Sequence, residues 1–536
     1  MKKTILSALC LAATVAMMAV PAYKGPREVT LADDSKVMLY LHGDEYFHYF
    51  TTEDGTWVQL TADKRLDTLE ALTDEQIQAR RMADRRYVTN KEIPLNIAPR
   101  GLVILVNFND LAFQAENTHE AMDAMFNDSD YSYGGMTGCV RDYFSEQSFG
   151  QYQPQFDVVG PVTVSNGMAY YGGNNGSLTD ANVDEMVQEA CELAHDAGAD
   201  FSQYDNDGDG KVDFVFFYYA GYGEAESGDE DNIWPHSSDV SGRQNIVFDG
   251  KKIATYACAS ELTWQTKNRA GIGTFCHEFS HVLGLPDLYY TGNQNLTHKT
   301  MGSWDVMDYG PYNNNGRTPP AYSAYERFFM GWIEPVVLNK PQTVTMNNIN
   351  STRNACLIDS TGEHNLVGNN PTPAEFFMLE NRQRRGYDTY LPWHGLMITK
   401  VSYSYYKWNN NTVNNTASAQ GVDLIEANGN APIGSQGKKS DLFPNGATSY
   451  TPYEKYPITN IKEIAVEGGD SIIVFDFMGG GDSLDLATEN IFDEEEQVVA
   501  IYNIMGQLQG TTNITQLPQG YYVVCTNKRA RKVSVR

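Results

Sequence analysis

Hydrophobic and polar positions change rhythm several times along this chain, and each rhythm predicts a different kind of element. Residues 102–108 are an apolar run interrupted only by Asn107, the pattern of a strand covered on both faces, and residues 212–219, interrupted only by Asp213, repeat it. Residues 182–195 carry apolar side chains at helical spacing, as do residues 271–283 and 321–330. Strands alternating with helices over residues 101–335 predict an α/β core. Beyond it the period shortens. Residues 375–379, 395–401 and 471–477 read as short strands between Asn/Gly turns, so 336–480 is expected to be an appended β-sandwich. Tracts such as 409–415 read as loops without chemistry. Residues 23–100 form a separate small unit, with strands near 36–41 and 45–50 and then an arginine-rich helical stretch. Past Gly479, Gly480 and Gly481 and the acidic linker 481–496, short alternating strands return at 499–507, 517–524 and 531–536, predicting a small all-β unit over 497–536.

The apolar run from Ile5 to Val20 behind Lys2 and Lys3 reads as a secretory signal, residues 1–22, cut after Ala22. It is short and contains Thr14, and no other stretch approaches transmembrane length, so the mature protein is expected to be exported with no transmembrane segment. A formal charge of −29 argues against a nucleic-acid partner and favours divalent cations. Of seven cysteines, Cys10 leaves with the signal and Cys525 lies in the terminal unit. The five between them (Cys139, Cys191, Cys258, Cys276 and Cys356) are an odd number, so no complete disulfide framework is expected. Cys258 and Cys276 could pair or remain free thiols.

The densest chemistry is His277-Glu278-Phe279-Ser280-His281, continuing Val282-Leu283-Gly284-Leu285-Pro286-Asp287. Histidines four apart share one helix face, so both imidazoles can reach one zinc ion while Glu278 addresses a water beside it. Gly284 allows the helix to stop, and Asp287 follows where the returning chain could supply a third ligand; Asp305 or Asp308 could also reach the metal. Downstream, Gly302-Ser303-Trp304-Asp305-Val306-Met307-Asp308-Tyr309-Gly310 resembles the methionine-containing turn beneath zinc in the metzincin clan. There Met307 would floor the site and Tyr309 would steady an oxyanion.

These segments are similar to the immune inhibitor A family of secreted metallopeptidases. So are Thr137-Gly138-Cys139-Val140-Arg141-Asp142-Tyr143-Phe144, Ile233-Trp234-Pro235-His236, the stretch from Pro320 to Arg327, and Leu379-Glu380-Asn381-Arg382-Gln383. The resemblance implies a metzincin-like α/β zinc-peptidase core and protein or peptide substrates, with zinc on His277, His281 and Asp287 and Glu278 as general base and acid. It also implies that residues 23–100 are a propeptide, with Arg80-Arg81, Arg85-Arg86 or Arg100 as cleavage points. With no cysteine in that segment, an acidic or imidazole group among His42, Asp44, Glu45 and His48 is expected to cap the metal; surface hairpin residues are the alternative. Residues 497–536 resemble the C-terminal sorting domain of the Bacteroidetes type IX secretion route, whose machinery would then be a partner. The product would be secreted or held at the cell surface.

Asp205-Asn206-Asp207-Gly208-Asp209-Gly210-Lys211-Val212-Asp213 matches the first half of an EF-hand loop. Position twelve is Phe216, so calcium would be held by Asp205, Asp207, Asp209, Lys211 through its carbonyl, Asp213, and a ligand borrowed elsewhere. The run Glu224, Glu226, Asp229, Glu230, Asp231 is a candidate lender, though most of it reads as solvated charge. Two rival readings remain: a surface-displayed calcium-dependent binding protein with an inert core, and a zinc hydrolase of non-peptide amides. The intact glutamate weighs against the first and the propeptide against the second.

Overall fold

The computed structural model describes residues 20–536 apart from 62, 74, 78–79, 81–97, 176–178, 292–299, 430–436, 467–468, 487–497, 504–506, 513–516, 519, 527–529 and 536. Most of the signal segment (1–19), the cleavage candidates Arg81, Arg85 and Arg86, and the acidic stretch 493–496 lie outside the described residues. The chain forms two compact units, one reaching Leu484 and one spanning Asp485–Arg536.

The central sheet has five strands in the order His236–Asp239, Thr255–Leu262, Val215–Tyr222, Arg100–Asn107, Gln155–Thr163. All pairings are parallel except that of the edge strand His236–Asp239, which runs antiparallel to its neighbour. The apolar run at 102–106 is continuous because both faces are covered. Val103 and Leu105 join the aromatic cluster of Phe216, Phe275 and Phe279, while Leu102, Ile104 and Val106 meet Val183, Met186 and Val187 of the helix Val183–Asp196. Each large apolar side chain so buried contributes on the order of 1.5–3 kcal/mol.

The expected strand at 212–219 is displaced. Lys211–Val212 belongs to a separate small sheet with Lys251–Ile253, and the chain enters the central sheet only at Val215. Asp213 forces this break: its Oδ2 accepts from the Asn206 amide at 2.6 Å and from the Asn206 side chain at 2.8 Å. The helix expected at 321–330 is shortened to Ala324–Phe329 by a capping box, in which Ser323 and Glu326 satisfy each other's backbone amides.

The N-terminal strands form a five-stranded antiparallel meander from Arg27 to Thr68. In the β-rich region one sheet orders Val336–Val337, Ala355–Asp359, Glu375–Arg382, Gly395–Ser402 and Val422–Leu424. In a second sheet Gln342–Met346 pairs with Ile472–Phe477, which pairs with Ile458–Ile464. This region shares one core with the histidine-bearing helix: Leu357, Phe376 and Met378 belong to the same cluster as Phe279 and Trp332. The second unit is a three-stranded antiparallel sheet of Val498–Asn503, Gly520–Thr526 and Ala530–Val535 around Ile501, Leu517, Tyr522 and Val524. Among the described residues no helix is long and apolar enough to cross a membrane.

Candidate metal centre

The helix Gly273–Val282 is buried almost throughout, against the central sheet on one side and the 302–312 turns on the other. Its first turn needs glycine, because a Cβ on Gly273 would lie 2.1 Å from the Pro311 carbonyl oxygen. Its end is a Schellman turn. Gly284 takes φ +100°, its amide donates to His281 O at 2.9 Å, and Leu285 N donates to Ser280 O at 3.0 Å. That turn also orients the second histidine, since Leu285 O lies 2.7 Å from His281 Nδ1. The first is oriented by the methionine-containing turn, with Val306 O at 2.7 Å from His277 Nδ1.

These two contacts orient the rings. A carbonyl oxygen accepts only from N–H, so each Nδ1 carries a proton and Nε2 is the nitrogen of each ring placed to bind a metal. The two Nε2 atoms stand 3.1 Å apart, and Asp287 Oδ1 lies 3.2 Å from one and 3.3 Å from the other. Three donor atoms this close together suit a shared cation. The spacing suits zinc: ligands at ~2.0–2.1 Å in tetrahedral array are ~3.3 Å apart. Asp287 Oδ1 is buried with no hydrogen-bond partner, so the donor set fits the metal expected from the sequence. Burial alone would raise the Asp287 carboxyl, but His281 and His277 hold it well below the usual carboxylate range.

Asp287 is held by a residue that sequence reasoning passed over. Asn411 Oδ1 accepts from the Asp287 amide at 2.7 Å, and Asn411 Nδ2 donates to Asp287 Oδ2. The tract 409–415, read above as chemically silent, therefore buttresses the metal site. Asn414 donates to Leu288 O at 2.7 Å, and Asn415 accepts from Thr291. Only the run of asparagines hinted at this, and no spacing rule links positions 124 residues apart.

The alternative ligands serve the turn instead. Asp305 Oδ1 accepts from Met307 N and Asp308 Oδ2 from Gly302 N, both at 2.8 Å. Among the described residues, the buried donor cluster consists of His277, His281 and Asp287. Met307 is fully buried in the same core. Cys258 and Cys276 are free, buried thiols.

Glu278 is fully buried, and burial pushes its carboxyl well above the ordinary range, with His277 opposing and Asp287 adding. Its Oε1 accepts from the backbone amide of Val20 at 2.9 Å. The segment from Val20 to Tyr23 continues across the same wall. Trp234 Nε1 donates to Val20 O at 3.1 Å, and Tyr312 donates to Pro21 O at 2.6 Å. The Tyr309 hydroxyl donates to Ala22 O at 3.4 Å, and Tyr23 N donates to Ala225 O at 2.9 Å. Tyr309 thus faces a peptide carbonyl rather than bulk water.

The expected cap from residues 42–48 is not on the cluster. Both ring nitrogens of His48 are engaged elsewhere: Nε2 lies 2.9 Å from Glu224 Oε1 and Nδ1 lies 3.4 Å from Asp44 O. His42 Nε2 meets Thr51 Oγ1 at 2.9 Å, while Asp44 and Glu45 are buried. The contact over Glu278 comes from backbone upstream, where no sequence motif marks it.

At the acidic loop, Asp205, Asp207 and Asp209 each bring a carboxylate oxygen within 4.8 Å of the others. Asp213 is turned onto Asn206, and Lys211 Nζ reaches Asp209 at 2.9 Å. The expected lender does not arrive: Glu224 faces His48, and Glu226 accepts from Thr263 and Trp264. Glu224 is also fully buried rather than solvated. The basic group beside Asp205 is Lys251, at 2.6 Å.

Residues 98–332, which hold the histidine-bearing helix and Asp287, match the family described as immune inhibitor A peptidase M6, catalytic domain. That stretch is similar to the family's catalytic domain. The chain is similar to the pre-pro-metalloprotease PrtV of Vibrio cholerae serotype O1, 27% identical over 338 residues, covering 52% of this chain and 36% of that protein. It is also similar to immune inhibitor A of Bacillus thuringiensis subsp. alesti, 28% identical over 229 residues, covering 37% and 32%. The chain thus spans about a third of the length of these curated relatives.

The His48–Glu224 pair gives docking of the N-terminal sheet a pH dependence. Burial would lower the His48 pKa, but the Glu224 carboxylate overrides it, raising the value from 6.5 to about 9. A group with a raised folded pKa stabilises fully below its unfolded value and loses that contribution as pH climbs through the folded one. The melting-temperature gap between the wild-type chain and His48→Gln should therefore shrink from pH 6.5 to pH 9. A constant gap would contradict the assignment.

Proposed function

We propose that the chain is an exported zinc-dependent endopeptidase. The observation that carries the reading is the convergence of the two Nε2 atoms and Asp287 Oδ1 within 3.3 Å of one another beside the buried Glu278. His277, His281 and Asp287 would hold the zinc, which when bound polarises the scissile carbonyl and lowers the pKa of water. Glu278 takes the proton from the attacking water and passes it to the leaving amine. Tyr309, whose hydroxyl meets a backbone carbonyl, donates to the developing oxyanion. The carbonyls of Val306 and Leu285 orient the two rings so that Nε2 of each faces the metal position.

In this reading the segment after the signal is a propeptide that keeps the enzyme latent. The acidic loop holds calcium on Asp205, Asp207 and Asp209, with the carbonyl of Lys211 and, after a local shift, Asp213. The terminal unit directs export through the type IX machinery across the outer membrane, leaving the product secreted or on the surface. A mixed peptide library incubated with processed protein, with and without a zinc chelator, tests the activity. Internal cuts abolished by chelation and restored by zinc are expected, whereas cutting that survives chelation would contradict the reading.

A further inference from the structure

The wall that holds the N-terminal segment carries a buried carboxylate whose ion-pair partner, His48, comes from the N-terminal sheet. Glu224, at the end of the strand Val215–Tyr222, has no exposed surface. Its Oε1 lies 2.9 Å from His48 Nε2, and its Oε2 is buried without a hydrogen-bond partner. Neighbouring Glu226 differs, because Thr263 and Trp264 of the catalytic domain already satisfy it. The His48 ring also stacks on Trp234 at 4.9 Å, and the indole nitrogen of Trp234 holds the carbonyl of Val20, the residue whose amide meets Glu278. An aromatic face and a buried carboxylate therefore form one slot, filled by an imidazole, close to the reacting centre.

A carboxylate stripped of its partner in such a place is costly, and that cost is relieved by a new cation. We propose that, once the N-terminal sheet is released, Glu224 and Trp234 form a subsite that selects substrates with a basic side chain near the scissile bond. The substrate class is then peptides carrying arginine or lysine at one fixed position relative to the cut. This inference rests on the peptidase reading above.

The test compares protein released by cells expressing the full chain, as wild type, Glu224→Gln and Trp234→Phe, on paired peptides differing only in one residue, basic or neutral, scanned across the cut. Wild type should favour the basic member at one position by about tenfold or more, the scale of a close charge pair. Glu224→Gln should bring the ratio near one, and Trp234→Phe should fall between. No basic preference in wild type, or an undiminished one in Glu224→Gln, overturns the subsite; if Glu224→Gln fails to fold, an undiminished ratio in Trp234→Phe does so. Absence of any peptide cleavage by wild type is distinguishable from these outcomes, because it removes the peptidase reading itself.

Discussion

Glu278→Gln should lower peptide turnover by about 10²–10⁴-fold, the usual contribution of a positioned acid–base group, while leaving the metal content of the protein unchanged. The side chain keeps its size. What is lost is the ability to take and return a proton. Glu278 is not one of the three clustered donors, so His277, His281 and Asp287 keep their spacing. Turnover measured beside zinc stoichiometry separates the two effects. Near-wild-type turnover would remove the glutamate from the mechanism, and loss of zinc would show it to be structural.

Arg382→Ala should destabilise the fold by about 3–5 kcal/mol, as expected when one partner of a buried ion network is removed and its counter-charges remain. Arg382 is fully buried. Its Nε donates to Asp388 Oδ2 at 2.9 Å, Nη1 to Glu380 Oε1 at 3.1 Å and Nη2 to Ala321 O at 3.0 Å. Glu380 in turn accepts from Ala324 N at the head of the helix Ala324–Phe329, and Asp388 from Ala321 N. The network thus ties the β-rich region to the segment following the 302–312 turns. Chemical denaturation should show the loss; a shift of under ~1 kcal/mol would mean water replaces the guanidinium without penalty.

The cluster of candidate ligands was legible where its determinants are local. Helical spacing places His277 and His281 on one face, Gly284 marks the end, and Asp287 returns within a single turn. The apolar runs revealed the central strands for the same reason, as burial on both faces leaves a continuous signature. What was not legible depends on contacts across the fold. Asn411 meets Asp287 from a loop whose sequence resembles any polar linker. The strand expected at 212–219 slipped because Asp213, taken only as a metal ligand, binds Asn206. Residues 336–480 looked like a detachable sandwich because their alternation shows which face is apolar, not what that face covers. The contact over Glu278 is made by backbone, which leaves no trace in side-chain pattern.

Metal analysis of the purified full chain, side by side with His277→Ala and His281→Ala, bears most directly on the centre. Elemental mass spectrometry should find one zinc per wild-type chain at that site and its loss in either variant. Active wild-type protein free of transition metal, or variants retaining that zinc, would contradict the account.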